Sequence, residues 1–208
     1  RETLEQFEDH PQEWKDFLAW FHEIPLFIEK DHFRVVHACW DNSAILRFKA
    51  LSPSHCIDVD ILHESVNSDS FAGGVIDKLT RGTALELPNG ETILGKDGLA
   101  RHMFRTKFWS NEPQTYDDVV FQPDPLPLEM AKRNLSAIER QKLIHYDSSE
   151  LPVFVGHYWM SSEPAPITEN IACLDYSAVK YGRLIAYRMD GERCLSREKF
   201  IWVDVERE

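Results

Sequence analysis

A domain of mixed α/β (or α+β) class is predicted by three features of the sequence. Apolar residues make up 43% and charged residues 28% of the 208, the balance of a chain that folds around a core. Some segments repeat apolar residues at helical spacing, whereas others are short apolar runs closed by Gly, Pro or Asp-Gly. Both kinds occur in both halves, with no internal repeat or low-complexity tract, so residues 1–208 read as a single domain.

The first helix is expected from Asp9 onward. Asp9 and Gln12 have the spacing of a capping box, Trp14, Phe17, Leu18 and Phe21 share a face, and Pro25 stops the helix. Two strands follow, Leu26–Glu29 and Phe33–Val36, joined by a polar Lys30-Asp31-His32 turn. Asn42 to Lys49 reads as a helix with Ala44, Ile45 and Phe48 on one side. Between 52 and 80 the alternation of Ile57, Val59 and Ile61 with Asp58 and Asp60 suggests a strand, with a helix as the close rival. Pro88-Asn89-Gly90 separates Leu85–Leu87 from Thr92–Leu94 as in a hairpin. The three prolines in 122–128 mark a linker, and Leu135 to Ile144 a helix. Val153–Val155, Ile171–Leu174, Leu184–Arg188 and Phe200–Val205 then suggest an antiparallel meander punctuated by Gly182 and Asp190-Gly191. Trp20 and Trp202 are expected in the core.

Charge narrows the partners. Lys and Arg number 23 against 35 Asp and Glu, a net −12, which argues against nucleic acid and anionic membrane because such a surface repels phosphate polyanions. A phosphate substrate stays admissible where a metal ion or local arginines reverse the field. No run of the length needed to span a bilayer is present, and Arg1 to Trp14 lacks the apolar core of a signal peptide. Cys39, Cys56, Cys173 and Cys194 show no Cys-x-x-Cys spacing, as expected of reduced, mostly buried thiols. The expected location is the cytoplasm.

Two histidines share a local setting. His37 ends Phe33-Arg34-Val35-Val36, and His157 ends Val153-Phe154-Val155-Gly156. A histidine at the carboxyl end of a buried strand points to where ligands collect in open α/β sheets, and a neutral imidazole there can ligate zinc, manganese or iron. Gly156 is expected to allow a close backbone approach. The rival is a pair of hydrogen-bonded strand-end histidines without a ligand.

Phe33-Arg34-Val35-Val36-His37-Ala38 and Val153-Phe154-Val155-Gly156-His157-Tyr158-Trp159 resemble, in this order, two histidine motifs of calcineurin-like metallophosphoesterases. The likeness is to the phosphoprotein phosphatase and diadenosine tetraphosphatase branch. Ile171 to Val179 and Leu184 to Arg188 resemble that branch's closing strands. The resemblance implies the second half of the four-layer fold, sheets packed as a sandwich with flanking helices. It implies hydrolysis of a phosphoester or phosphoanhydride by a metal-activated hydroxide at a dinuclear Mn, Fe or Zn centre, with His37 and His157 as ligands of the second metal. The substrate would be a phosphorylated small molecule, a nucleotide or a phosphoprotein.

The branch's Asp-x-His, Gly-Asp-x-x-Asp-Arg and Asn-His-Asp/Glu motifs have no counterpart in the sequence. The first metal's ligands, the bridging aspartate and the protonating histidine are therefore expected from an amino-terminal half outside these residues, in keeping with the start at Arg1. On its own the chain is expected to be inactive. Among Arg101, Arg105 and Lys107, which precede Phe108-Trp109-Ser110, Arg105 is the preferred phosphate contact, because Phe-Trp-Ser resembles a family segment near such an arginine. Trp40 and Trp159 follow the two histidines and are candidates to stack on a nucleobase, with core packing as the rival. Asp41 is a candidate to orient a ligand or touch substrate, or else a plain loop aspartate. The rival to the enzyme is a non-catalytic relic of the fold that serves as an interaction module.

Overall fold

Apolar runs and capping residues divide the chain into the following elements in the computed structural model, which describes residues 2–95, 98–121 and 126–206. Helices α1 (Glu2–Gln6) and α2 (Pro11–Phe21) lead to strands β1 (Phe27–Glu29) and β2 (Arg34–Val36). Helices α3 (Asn42–Leu51), α4 (Val59–Ser65) and α5 (Phe71–Arg81) follow, then β3 (Thr83–Glu86), β4 (Ile93–Leu94), β5 (Ala100–Arg101) and β6 (Met103–Thr106). Short helices α6 (Tyr116–Val119), α7 (Leu128–Ala131) and α8 (Ala137–Lys142) precede β7 (Val153–Val155), β8 (Ile171–Cys173), β9 (Asp175–Tyr176), β10 (Arg183–Tyr187) and β11 (Phe200–Asp204). The protein is of mixed α/β class with several small sheets.

The sheet that positions the candidate site has the order β1-β2-β7-β8. β1 and β2 are antiparallel, as their polar turn predicts, whereas β2, β7 and β8 run parallel. The expected meander therefore holds only for its last two strands, β10 and β11, which β9 joins in a separate antiparallel sheet. Val153–Val155 and Ile171–Cys173 are buried at every position, the pattern of parallel strands covered on both faces.

The cover differs from face to face. Val35, Phe154 and Ala172 stand in register across the three parallel strands and join Ile185 and Phe200 of the β9–β11 sheet in one apolar cluster. Alternate residues Val36, Val153, Val155, Ile171 and Cys173 join Phe48 of α3 and Leu79 of α5 in another. Each fully buried side chain of that size stabilises by about 1.5–3 kcal/mol.

Local chemistry explains where the expected elements shift. Asp58 is the N-cap of α4, its carboxylate accepting from the Ile61 amide at 2.8 Å, so the helical reading of this segment holds over the strand. Pro11 occupies the start of α2 with His10 as N-cap, and the Asp9 to Gln12 capping box does not form. The Pro88-Asn89-Gly90 hairpin is absent: β3 pairs with β6, as Leu85 with Phe104, and β4 with β5. The helix expected from Leu135 to Ile144 is shorter, held by a Ser136–Glu139 capping box. Of the proposed linker, 122–125 lies outside the described residues, and Leu128 already begins α7. Trp20 is 54% exposed, not core, and Trp202 is 38% exposed. Cys39 and Cys173 are buried, Cys56 is half-buried and Cys194 is exposed. Among the described residues no helix is long and apolar enough to cross a membrane.

Candidate functional site

Parallel pairing of β2 with β7 places the residues that follow them side by side. The register Arg34 with Val153 and Val35 with Phe154 continues past the strand ends, where the Gly156 amide donates to the His37 carbonyl at 2.9 Å. The His37 and His157 rings consequently sit with centroids 5.5 Å apart and planes tilted by 58°. The two candidate metal ligands are thus brought together, although they lie 120 positions apart in the sequence.

His37 is exposed and His157 is half-buried. The His157 Nε2 is buried without a hydrogen-bond partner. A neutral imidazole whose unprotonated nitrogen is Nε2 presents a lone pair at that atom. Burial, the Arg105 guanidinium and His37 together hold the His157 pKa below its ordinary 6.5, against smaller opposing effects of Arg81 and Asp175. His157 has φ 66° and Trp159 φ 45°, left-handed conformations for side chains that seldom adopt them, and such strain gathers at functional sites.

A cavity of about 490 Å³ opens beside His157, lined by Arg105, Phe121, Tyr158, Trp159 and Ser177 among others. Arg105 enters on β6, paired with Ala84 of β3. Trp159 is 50% exposed, with the Lys180 ammonium 3.5 Å from its ring centroid. The Tyr158 hydroxyl is buried and, like His157 Nε2, has no partner. His157, Arg105 and Trp159 therefore share one wall.

The remaining candidates lie elsewhere. Trp40 is 1% exposed, packed edge-on to Phe27 at 5.6 Å and under the Arg34 guanidinium at 4.8 Å, so its faces are already covered. Asp41 is the N-cap of α3. One oxygen accepts from Ser43 and Ala44 amides at 3.0 and 3.1 Å, and the other pairs with Lys78 at 2.8 Å. Burial pushes its pKa up, but Lys78 and the two amides outweigh that and hold it below the ordinary value. Asp175 accepts from the Ser177 amide at 3.0 Å, closing the turn after β9.

Gly156 is not the residue that demands a missing side chain. A Cβ there would meet the His37 carbonyl oxygen at 3.6 Å, an ordinary contact, whereas a Cβ at Gly182 would lie 2.0 Å from the Tyr176 carbonyl oxygen. Sequence reasoning also missed Phe121, Tyr158 and Ser177. The signal for Tyr158 was its place between His157 and Trp159, while Phe121 and Ser177 come from segments that only the fold brings near.

Among the described residues no three His, Cys, Asp or Glu side chains group as a metal cage. The orphaned His157 Nε2 and the neighbouring His37 ring fit two positions of such a site and leave the others to groups outside it. No family model matches the chain, and no curated protein or solved structure matches it.

Proposed function

We propose that this chain carries part of the site of a metal-dependent phosphoesterase of the calcineurin-like type. His37 and His157 would hold one divalent ion (Mn, Fe or Zn), and Arg105 would face the phosphate. The observation that carries the reading is the paired imidazoles at the ends of two adjacent parallel strands, with His157 Nε2 buried and unpartnered.

Bound there, a divalent ion supplies Lewis acidity toward phosphoryl oxygens and acidifies water. Burial, the Arg105 guanidinium and His37 favour the neutral His157 ring, the form that can ligate. Arg105 supplies a positive charge on the wall of the cavity, suited to an anionic oxygen pair, and Trp159 offers a half-open aromatic face for an aromatic part of the substrate. Two nitrogens alone retain an ion weakly, so the remaining ligands would come from a polypeptide segment beyond these 208 residues. The finer fold reading, two sheets stacked as a sandwich with helices outside, belongs to the same proposal. The two clusters on opposite faces of the β1-β2-β7-β8 sheet support it.

Calorimetric titration of Mn²⁺ or Zn²⁺ tests the ligand pair. The chain is expected to bind with a Kd no tighter than about 10 μM, His37→Ala and His157→Ala should each abolish the heat, and the double variant should lose no more than either. Heats unchanged in both single variants would remove the assignment. A second reading, an interaction module without catalysis, is favoured by the outward aromatic face of α2. It gains if the histidine variants leave metal binding intact.

A further inference from the structure

A second cavity, of about 440 Å³, lies between the end of β6 and the segment around α8, with Lys107, Arg140 and His145 on its walls. Its apolar lining comes from Val119, Leu143 and Ile144. The same two extended segments serve both cavities. Phe121 donates to the Arg105 carbonyl at 2.8 Å, and Lys107 donates to the Val119 carbonyl at 2.7 Å. Arg105 and Phe121 therefore line the first cavity, and Lys107 and Val119 the second.

The charge of this second cavity runs against that of the chain. The protein as a whole carries −12, yet two cations and an imidazole converge here against a single lining carboxylate, Glu112. Among the described residues neither Lys107 nor Arg140 forms a salt bridge. The nearby Asp118 accepts from the Gln114 and Thr115 amides and the Thr115 hydroxyl at 2.8–3.0 Å, and Lys107 interacts with it only through space. His145 Nδ1 bonds the Ser110 carbonyl at 3.0 Å, which fixes the ring on the rim. Two cations outside any salt bridge beside apolar side chains, in a hollow of the volume that small ligands fill, match a ligand with an anionic head and an apolar body.

We infer that this second cavity binds a small organic anion, a carboxylate or a phosphate-type head on an apolar body, independently of the histidine site. Lys107 and Arg140 hold the head, and Val119, Leu143 and Ile144 take the body.

Titration of the 208-residue chain with 4-phenylbutyrate, with phenylphosphonate and with the neutral 4-phenylbutyramide, followed by calorimetry and backbone amide NMR, tests this. At least one anion should bind with a Kd below about 1 mM and shift the amides of Ser110, Leu143 and Ile144, and the amide probe should bind at least about tenfold more weakly. Whichever anion binds more tightly identifies the head. Lys107→Gln and Arg140→Gln should each weaken it about fivefold or more, while His157→Ala should leave it within about twofold. Arg140 is exposed, so its variant keeps the test valid if Lys107→Gln does not fold. Absence of binding by both anions up to about 5 mM, equal binding of the neutral probe, indifference to Arg140→Gln, or loss in His157→Ala would each overturn the inference.

Discussion

The carboxyl ends of β2 and β7 and the arm formed by α1 and α2 hold similar side chains and treat them in opposite ways. Beyond β2, Trp40 is 1% exposed and Phe48 is 0% exposed, both packed with Phe27. In the arm, Phe17, Trp20 and Phe21 are 41%, 54% and 49% exposed, and neither helix buries a residue. The arm's ring contacts are with one another: Phe7 with Trp14 at 5.2 Å and with Phe17 at 5.7 Å, and Trp20 with Phe21 at 5.5 Å. Helical spacing puts apolar residues on a common face, but only a facing element buries them. The difference teaches that the strand-end region is held by the core, whereas the arm rests on contacts among its own rings and on the hydrogen bond of its capping residue His22 to the Ile57 carbonyl.

Substitutions sharpen that contrast, the largest first. Phe48→Ala should lower unfolding free energy by about 3–5 kcal/mol in urea titrations, whereas Phe21→Ala should cost about 0.5 kcal/mol or less. Equal losses would show that the arm is as firmly packed as the strand ends. Next, Gly182→Ala forces a Cβ onto the Tyr176 carbonyl and should cost about 1–3 kcal/mol, with Gly156→Ala nearly neutral by the same assay. If the order is reversed, the close approach lies at the histidine loop instead.

Ion pairing in the same region gives a smaller, pH-dependent effect. Arg34 donates to Glu29 at 2.9 Å, to Glu150 at 2.6 Å and to the Tyr146 hydroxyl at 3.0 Å, and Lys49 also pairs with Glu29. Burial pushes the Glu29 pKa up, but Lys49 and Arg34 outweigh it and hold the carboxyl below its ordinary 4.5. A lowered carboxyl stabilises the fold above its unfolded pKa, and that stability is lost as pH falls through the folded value. Arg34→Met should therefore cost about 1–2 kcal/mol at pH 7, since the partners are partly exposed, and flatten the loss of stability below about pH 4.5. An unchanged acid limb in Tm against pH would remove Arg34 from that role.

How much of this was legible in the sequence follows from what each signal measures. The strands ending at Val36 and Val155, and the helix capped by Asp41, rest on local patterns that the core reinforces. The histidine pair was legible because both residues follow a strand, which fixes their place once the strands lie side by side. The hairpin at Pro88-Asn89-Gly90 failed because a turn signal says where the chain bends and not which strand it joins, and Leu85 pairs with Phe104 instead. Trp20 and Trp40 were indistinguishable as aromatic residues on helix-forming or strand-end segments, since burial depends on neighbours from elsewhere in the chain. Arg34, a lone cation within an apolar strand, is a readable sign of buried ion pairing, because a charge on such a strand needs a partner.

The central claim is the proposal that His37 and His157 take one divalent ion, with the buried, unpartnered His157 Nε2 as one donor. Long-range ¹⁵N–¹H spectra of the imidazoles, recorded across pH and with added Zn²⁺, test it most directly. The account predicts the Nδ1–H tautomer for His157, a titration midpoint below 6.5, and a zinc-dependent shift at Nε2 accompanied by a change at His37. An Nε2–H tautomer, or zinc that leaves both rings unshifted, would contradict it.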